Sequence, residues 1–206
     1  MYNLGVKQIF IFGASTVYGV GGENGGWADM LKKEMHKRMY SKGGEGEKYE
    51  IYIFAKPGAT VEFINDSFEQ QLQSYSRGEK KLAIVSVGTN NAKAKGTPDN
   101  FVSDIESYKR AMTNLLKNIK DKVDYLICVG YRPVDESKTL PKPNPISGHP
   151  DSYFWNNRIT EFNNVYKKIC DEIMVKFIDL NIDKDEWISK YLNEDGLHPN
   201  TKGHEL

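Results

Sequence analysis

The sequence has little cysteine. Only two cysteines occur among its 206 residues, Cys128 in an apolar strand-like segment and Cys170 in a helix-like segment. We expect both to be buried, reduced thiols, and a single disulfide between them is the alternative. The scarcity of cysteine therefore favours a reducing compartment inside the cell over an oxidising one.

The sequence also lacks net charge, long apolar runs and a recognisable secretion signal. Its 28 lysines and arginines balance 28 aspartates and glutamates, which argues against a surface dedicated to nucleic acid or anionic membranes. No apolar run approaches the length that spans a bilayer. The first residues also lack a charged segment followed by a long apolar one and a small-residue cleavage site. We therefore expect a cytoplasmic protein with no nucleic-acid partner and no membrane span, and the oligomeric state is not indicated.

Strand-like and helix-like segments alternate along the chain. The strand candidates are residues 7–12, 49–54, 82–87, 124–129 and 175–179. The helix candidates are residues 27–40, 61–75, 101–119 and 153–172, followed by a final helix near residue 201 that we expect to be truncated or very short. Apolar residues run almost continuously through the strand candidates, as in strands covered on both faces. The alternation predicts an α/β fold, with about five parallel strands and helices on both faces, in a single domain over residues 1–206.

Four groups of residues are expected at the ligand-binding edge of this sheet, beyond the carboxyl ends of its strands. They are residues 13–21 (GASTVYGVG), 57–60 (PGAT), 88–91 (GTNN) and 195–198 (DGLH). Each group has a plain explanation by itself. Ser15 or Thr16 can cap a helix, and Gly58, Asn90 and Asn91 can form turns. The histidines outside these groups, for which we expect no role, are His36, His149 and His204.

Taken together, the four groups contain the parts of an acyl-transfer site. Asp195 lies three residues before His198 in a turn with Gly and Pro, so its carboxylate can orient one ring nitrogen while the other faces outward. Ser15, at the tip of the first strand, can supply a nucleophilic hydroxyl and its own N–H. Gly58 offers an unshielded N–H, and Asn90 a side-chain NH₂, to a developing oxyanion. We therefore predict these five residues as the catalytic residues.

The four groups resemble the sequence blocks of the SGNH hydrolases, also called the GDSL esterase/lipase family. Residues 12–21 read FGASTVYGVG, similar to F-G-D-S-x-T-x-G-x-G, and residues 25–27 read GGW, which often follows that block. Residues 58–60 read GAT, and residues 88–91 read GTNN, similar to G-x-N-D. Residues 195–199 read DGLHP and match D-x-x-H-P fully. The blocks stand in the family's order, and the resemblance covers nearly the whole chain.

The resemblance implies a three-layer, flavodoxin-like fold and a serine hydrolase that uses neither a cofactor nor a metal. It implies that carboxylic esters are cleaved by Ser15, His198 and Asp195 through an acyl-enzyme intermediate. The oxyanion would be held by the N–H groups of Ser15 and Gly58 and by the side chain of Asn90. The expected partner is a small-molecule ester, and the resemblance does not choose among carbohydrate acetyl esters, lysophospholipids, acyl thioesters and simple carboxyl esters.

Two residues depart from the family's pattern. Ala14 and Asn91 stand where acidic residues are usual, which removes two negative charges near His198. Asn90 holds the position whose amide faces the nucleophile, and we expect Asn91 to brace the loop. Two alternatives stay open at this point. One is a catalytically silent ligand-binding module on the same fold; the other is an FMN-binding flavodoxin in which residues 13–16 cradle a phosphate, a role that does not require His198.

One long connection, residues 131–152, interrupts the regular alternation. It contains five prolines, and loops of this length inside a compact domain are often functional. We expect it to influence the choice of ester without taking part in the chemistry, and a surface excursion with no role is the alternative. The aromatic residues Tyr131, Tyr153, Phe154 and Trp155 flank this loop. They can line a pocket, or they can form the core face of the fourth helix.

Overall fold

The centre of the molecule is a five-stranded parallel sheet, and the computed structural model describes residues 7–41, 43 and 46–206. The strands are β1 (Gln8–Gly13), β2 (Glu50–Ala55), β3 (Lys81–Ser86), β5 (Tyr125–Val129) and β7 (Lys176–Ile178). Their order across the sheet is β2-β1-β3-β5-β7, which is the flavodoxin-like order with a topological switch point between β1 and β3. The predicted fold class is confirmed.

Helices surround the sheet, and a second, two-stranded sheet lies beside it. The helices of the described residues are α1 (Ser15–Tyr18), α2 (Trp27–Met39), α3 (Val61–Tyr75), α4 (Thr89–Ala92), α5 (Ile105–Lys120), α6 (Glu136–Thr139), α7 (Asn156–Glu172), α8 (Lys184–Lys190) and α9 (Thr201–Glu205). The small sheet pairs β4 (Ala94–Lys95) with β6 (Ser152–Tyr153) in antiparallel orientation, and it was not predicted from the sequence. Within the described ranges, no helix is long and apolar enough to cross a membrane.

Strand β1 contributes to two hydrophobic cores, one on each face of the sheet. Phe10 and Phe12 belong to the larger core, which α3, α5 and α7 cover. Ile9 and Ile11 belong to the smaller core, which α1 and α2 cover. Successive side chains of a strand point to opposite faces, so a strand buried on both faces is apolar at nearly every position. This explains the apolar run in β1. The buried Gln8 at its start is the exception, and its amide donates to Glu50 Oε2 at 2.8 Å and to the Tyr75 carbonyl at 2.9 Å.

The prediction of two buried, reduced cysteines is confirmed. Cys128 of β5 and Cys170 of α7 are both free and both belong to the larger core. A hydrogen bond with the Cys128 thiol, together with burial, raises the pKa of the Cys170 thiol. The two side chains therefore act as small apolar core residues.

The third predicted helix begins four residues later than expected, at Ile105 of α5. Asp104 caps this helix, because its carboxylate accepts a hydrogen bond from the Ser107 N–H at 2.8 Å. Phe101 fits the helical spacing of the sequence, yet it lies before the cap and is exposed. Its ring packs against the Arg158 guanidinium, whose central carbon lies 3.8 Å from the ring centroid.

The fourth predicted helix also begins later than expected, at Asn156 of α7. Tyr153 pairs with Ala94 in the small sheet and is therefore extended. In extended backbone, successive side chains point to opposite sides. Phe154 is therefore buried, whereas Tyr153 and Trp155 lie together on the other side, where their rings stack with centroids 5.9 Å apart. The segment before α7 thus has a strand pattern, which a helical reading of the sequence missed.

His204, for which no role was expected, anchors α9 to the rest of the fold. Its side chain is buried, its Nδ1 accepts a hydrogen bond from the N–H of Trp27 at 3.3 Å, and its Nε2 lies 3.1 Å from the carbonyl oxygen of Val20. A neutral ring with its proton on Nε2 makes both bonds, whereas a protonated ring loses the acceptor. Burial lowers the pKa of this ring, which favours the neutral form.

Acidification should therefore loosen the anchor of α9. A histidine with a lowered pKa in the folded state stabilises the fold fully above an unfolded-state pKa of about 6.5, and this contribution is lost as the pH falls below that value. In His204→Gln the residue no longer titrates. We expect urea unfolding at about pH 8 and pH 5.5 to show a smaller acid-induced loss of unfolding free energy in the variant than in the wild type. Equal losses in the two proteins would contradict this role of His204.

Candidate active site

The end of β1 delivers Ser15 to the edge of the sheet. Gly13 ends the strand, Ala14 follows, and Ser15 is the first residue of α1. A Cβ atom at Gly13 would lie 2.2 Å from Val17 Cγ2 and 2.6 Å from the carbonyl oxygen of Ser86, so only glycine allows this tight passage from strand to helix. As the first residue of the helix, Ser15 has a backbone N–H without an intrahelical acceptor.

The turn at residues 195–198 brings a histidine to the Ser15 hydroxyl. His198 Nε2 lies 2.8 Å from Ser15 Oγ, and His198 Nδ1 lies 2.6 Å from Asp195 Oδ2. The second oxygen of Asp195 accepts hydrogen bonds from the N–H groups of Leu197 at 2.9 Å and His198 at 3.0 Å. The carboxylate therefore fixes both the backbone of the turn and the orientation of the ring.

The Asp195 carboxyl is ionised in the folded protein. Burial by itself would raise its pKa, but the hydrogen bonds from the His198 ring and from the N–H groups of His198 and Leu197 outweigh burial. Together they hold the pKa of Asp195 well below its usual range. An ionised carboxylate is acceptor-only, so His198 Nδ1 is the donor in their contact.

Asn90 lies in α4, just beyond the end of β3. Its side-chain nitrogen donates to the carbonyl oxygen of Ala59 at 3.0 Å, and its side-chain oxygen accepts from Lys93 Nζ at 3.1 Å. These two partners fix the orientation of the amide. An NH₂ group has two hydrogens, so one remains for the cavity that Asn90 lines together with Ser15 and His198.

Asn91 is fully buried and points away from this cavity. Its side-chain oxygen accepts from the N–H of Val61 at 3.0 Å. Its side-chain nitrogen donates to Glu62 Oε2 at 2.8 Å and to Ser103 Oγ at 3.0 Å. These bonds tie α4 to the start of α3 and to the segment before α5, which is the bracing arrangement expected for this position.

Gly58 lies in the exposed turn after β2. Its φ of 82° is in the left-handed region that favours glycine, and a Cβ atom there would have no neighbour within 4 Å. Gly58 is absent from the residues that line the cavity beside Ser15. The next residue, Ala59, holds the amide of Asn90 through its carbonyl oxygen. The structure thus brings Ser15, Asn90 and His198 to one cavity and Gly58 to the adjoining turn.

The cavity beside Ser15 is small, with a volume of about 70 Å³. Its apolar walls include Tyr131, Val134, Phe154, Trp187 and Leu197. Two of the four aromatic residues that flank the long loop, Tyr131 and Phe154, therefore line a pocket, as one of the two readings of the sequence proposed. Trp187 was missed, because α8 carries no recognisable motif, and its buried indole is fixed by donation to the carbonyl oxygen of Pro133 at 3.0 Å.

The long loop contributes charged groups to the site that were not predicted from the sequence. Arg132 lines the cavity, and its guanidinium donates to Asp179 Oδ1 at 2.8 Å. Lys142 Nζ lies 3.2 Å from Asp195 Oδ2 and donates to the backbone carbonyl of the same residue at 3.0 Å. The loop therefore touches the acidic residue of the site. Among the described residues, no group of three or more His, Cys, Asp or Glu side chains could hold a metal ion.

The fold is shared with solved structures of esterases. A member of the lipolytic G-D-S-L family from Veillonella parvula is 16% identical, with a TM-score of 0.69 over 97% of this chain and 93% of that chain. A lipase/acylhydrolase from Enterococcus faecalis is 17% identical, with a TM-score of 0.67 over 97% and 90%. Axe2, an acetylxylan esterase from Geobacillus stearothermophilus, is 15% identical, with a TM-score of 0.66 over 98% and 90%. No curated protein matches the chain.

The sequence also matches a protein-family model. The match begins within β1 at residue 11 and continues to residue 206, so it includes Ser15, Asn90, Asp195 and His198. With nearly the whole chain matched, the protein belongs to the GDSL-like Lipase/Acylhydrolase family.

Proposed function

We propose that the protein hydrolyses carboxylic esters through an acyl-enzyme formed on Ser15. The observation that carries the proposal is the continuous path of hydrogen bonds from Asp195 through His198 to the Ser15 hydroxyl, with contacts of 2.6 and 2.8 Å. A ring held in this way acts as a general base toward the serine. The proposed catalytic unit is one domain, residues 1–206, which acts in the cytoplasm on a small-molecule ester and uses no cofactor.

The reaction proceeds in two half-reactions. Ser15 Oγ attacks the carbonyl carbon while His198 Nε2 takes the hydroxyl proton and Asp195 stabilises the resulting imidazolium. When the tetrahedral intermediate collapses, the bond to the alcohol oxygen breaks and His198 returns the proton to the leaving alcohol. Water then attacks the acyl group by the same steps, which releases the carboxylic acid and restores Ser15.

Three donors are assigned to the oxyanion that forms in each half-reaction. The N–H of Ser15 lies at the start of α1, where backbone donors have no intrahelical partner. One hydrogen of the Asn90 NH₂ group is bonded to the Ala59 carbonyl, and the amide oxygen accepts from Lys93. The second hydrogen is the donor that we assign to the oxyanion. The N–H of Gly58 is the third donor, and the link between Ala59 and Asn90 supports its assignment.

The small cavity favours a short acyl group, such as acetyl. Its volume of about 70 Å³ is roughly half of the ~150 Å³ that accommodates benzene in an engineered apolar cavity. A long acyl chain does not fit there, and neither does the ring system of FMN, which disfavours the flavodoxin alternative. Axe2, which shares the fold, is an acetylxylan esterase. We therefore place the acyl group in the cavity and the larger alcohol part outside it.

Replacement of the nucleophile should abolish turnover. Ser15→Ala should keep its melting temperature and lose esterase activity by about 10⁴-fold or more, because the attacking oxygen is absent. A fluorophosphonate probe, followed by peptide mass spectrometry, should label Ser15 in the wild type. Ser189→Ala, an exposed serine of α8, serves as the control and should retain activity and labelling. Labelling of another residue, or full activity in Ser15→Ala, would overturn the assignment of Ser15 as the nucleophile. If the wild type binds a ligand but hydrolyses no ester, the protein is a catalytically silent binding module.

The two neighbouring asparagines should have different functions. Asn90→Ala should lower kcat by about 10²–10³-fold with little change in KM, because it removes an oxyanion donor. Asn91→Ala should mainly lower the melting temperature, since a buried N–H left unpaired costs about 1–3 kcal/mol. Steady-state kinetics and thermal unfolding of both variants make the comparison. If Asn91→Ala lost kcat while Asn90→Ala kept a normal kcat, Asn91 would be the oxyanion donor and Asn90 the structural residue.

Activity should decline as the acyl chain becomes longer. Between aryl acetate and aryl octanoate, we expect kcat/KM to fall by about tenfold or more, because the cavity does not admit the longer chain. Phe154→Ala removes a ring from the cavity wall and enlarges the cavity, so it should reduce the preference for short acyl chains. Tyr153→Ala, on the outer side of the same segment, should leave that preference unchanged. If wild type prefers the octanoate ester, the acyl group does not occupy this cavity.

A further inference from the structure

Lys142 makes two contacts with the acidic residue of the site. Its ammonium lies 3.2 Å from Asp195 Oδ2, the same oxygen that receives the hydrogen bond from His198 Nδ1. It also donates to the Asp195 backbone carbonyl at 3.0 Å. The lysine side chain is only 19% exposed, so this pair is shielded more than a typical surface ion pair.

The local sequence explains why Lys142 is held in this position. It stands between Pro141 and Pro143, and a residue before proline is restricted to extended backbone. In this conformation Lys142 pairs with Ser152, donating its N–H at 2.7 Å and accepting at 3.0 Å. The adjoining residue Tyr153 belongs to β6. The small sheet and the two prolines therefore fix the backbone from which the lysine reaches Asp195.

We propose that Lys142 is a positioning residue of the active site, which holds Asp195 in place and sets the lower pH limit of the activity. This inference rests on the proposed function. Lys142 and the His198 ring share one carboxylate oxygen, so the lysine's charge offsets part of the attraction between Asp195 and a protonated ring. Protonation of the ring removes the general base. The lysine thus extends the active range to lower pH.

Other charges near His198 do not duplicate this effect. In the described part of the chain, the charged or titratable groups near the ring include Asp195, Lys142 and His204. Arg132 and Tyr131 line the same cavity, and burial raises the pKa of Tyr131 and keeps it neutral. Asp135 and Lys138 pack against Gly196 of the turn and contact each other at 3.8 Å. The charge of Arg132 is paired with Asp179 at 2.8 Å. Burial lowers the pKa of His204, which keeps that ring neutral. Lys142 is therefore the cation in direct contact with the partner of His198.

The test compares the pH dependence of kcat/KM on an aryl acetate for several lysine variants. Lys142→Met removes the charge and keeps most of the side-chain length, and Lys142→Gln is a second neutral variant in case the first folds poorly. In both, the acid limb of the profile should move to higher pH by about 0.5 unit or more, because an uncompensated carboxylate favours the protonated ring. Lys142→Arg keeps the charge, so the acid limb of its kcat/KM profile should stay at the wild-type pH.

Lys138→Met is the matched control. Lys138 lies four residues before Lys142 and is 49% exposed. The carbon chain of its side chain packs beside Gly196 of the same turn, but its ammonium contacts Asp135 at 3.8 Å rather than Asp195, so it is a nearby lysine whose charge is paired elsewhere. Its removal should leave the acid limb unchanged. An unchanged limb in both neutral Lys142 variants, or an equal shift in Lys138→Met, would overturn the proposal.

An NMR titration of the His198 ring separates this proposal from the proposed function, since it requires no turnover. The titration midpoint should rise in the neutral Lys142 variants and stay at its wild-type value in Lys138→Met. A wild type without esterase activity or probe labelling would refute the proposed function, while the NMR comparison would still decide the effect of Lys142. An active wild type with unchanged midpoints in the variants would refute the Lys142 proposal alone.

Discussion

The burial of β1 on both faces is the constraint on which the site depends. All six residues of the strand are buried, and it pairs in parallel with β2 on one side and with β3 on the other. A shift of one residue would exchange the residues that face the two cores, placing Phe10 and Phe12 where isoleucines pack. The register of β1 is therefore fixed. Because Gly13 then passes directly into α1, a fixed register also fixes the position of Ser15.

Much of the fold and of the site could be predicted from the sequence, because the signals are local. Continuous apolar runs predicted the strands, and the DGLHP motif contains both the carboxylate and the ring that it orients. Ser15 and His198 are 183 residues apart. A parallel sheet gathers the ends of its strands at one edge, which accounts for Ser15 directly after β1. His198 reaches the same edge from a turn after α8, where its sequence motif marked it for the site. The sequence therefore predicted chemically recognisable residues together with the edge where they meet.

The residues that escaped prediction depend on how loops fold back on the sheet. Lys142 reaches Asp195 through the path of a loop that the sequence marks only by its prolines. Trp187 lines the cavity from a helix with no motif, and His204 is buried although it lies near the end of the sequence. Phe101 failed in the opposite way: its spacing suited a helix, but the cap at Asp104 starts α5 after it. The spacing of apolar residues carries no information about the tertiary contacts of the first three residues. The cap at Asp104 is a local signal, but the helical spacing that continues back to Phe101 obscured it.

In the described structure, Asp195 is the carboxylate that orients the His198 ring. Ala14 lines the cavity without a charge, Asn91 is buried elsewhere, and in the described structure the cavity lining contains no carboxylate side chain. Because the Asp195 carboxylate is ionised and can only accept, His198 Nδ1 donates to it, which leaves the Nε2 lone pair directed at the Ser15 hydroxyl. A half-buried carboxylate remains ionised only when its oxygens are well bonded. The Asp195 oxygens are bonded by two backbone N–H groups of the turn, by the His198 ring and by Lys142. The bond from the ring also selects the tautomer in which His198 can accept a proton from Ser15.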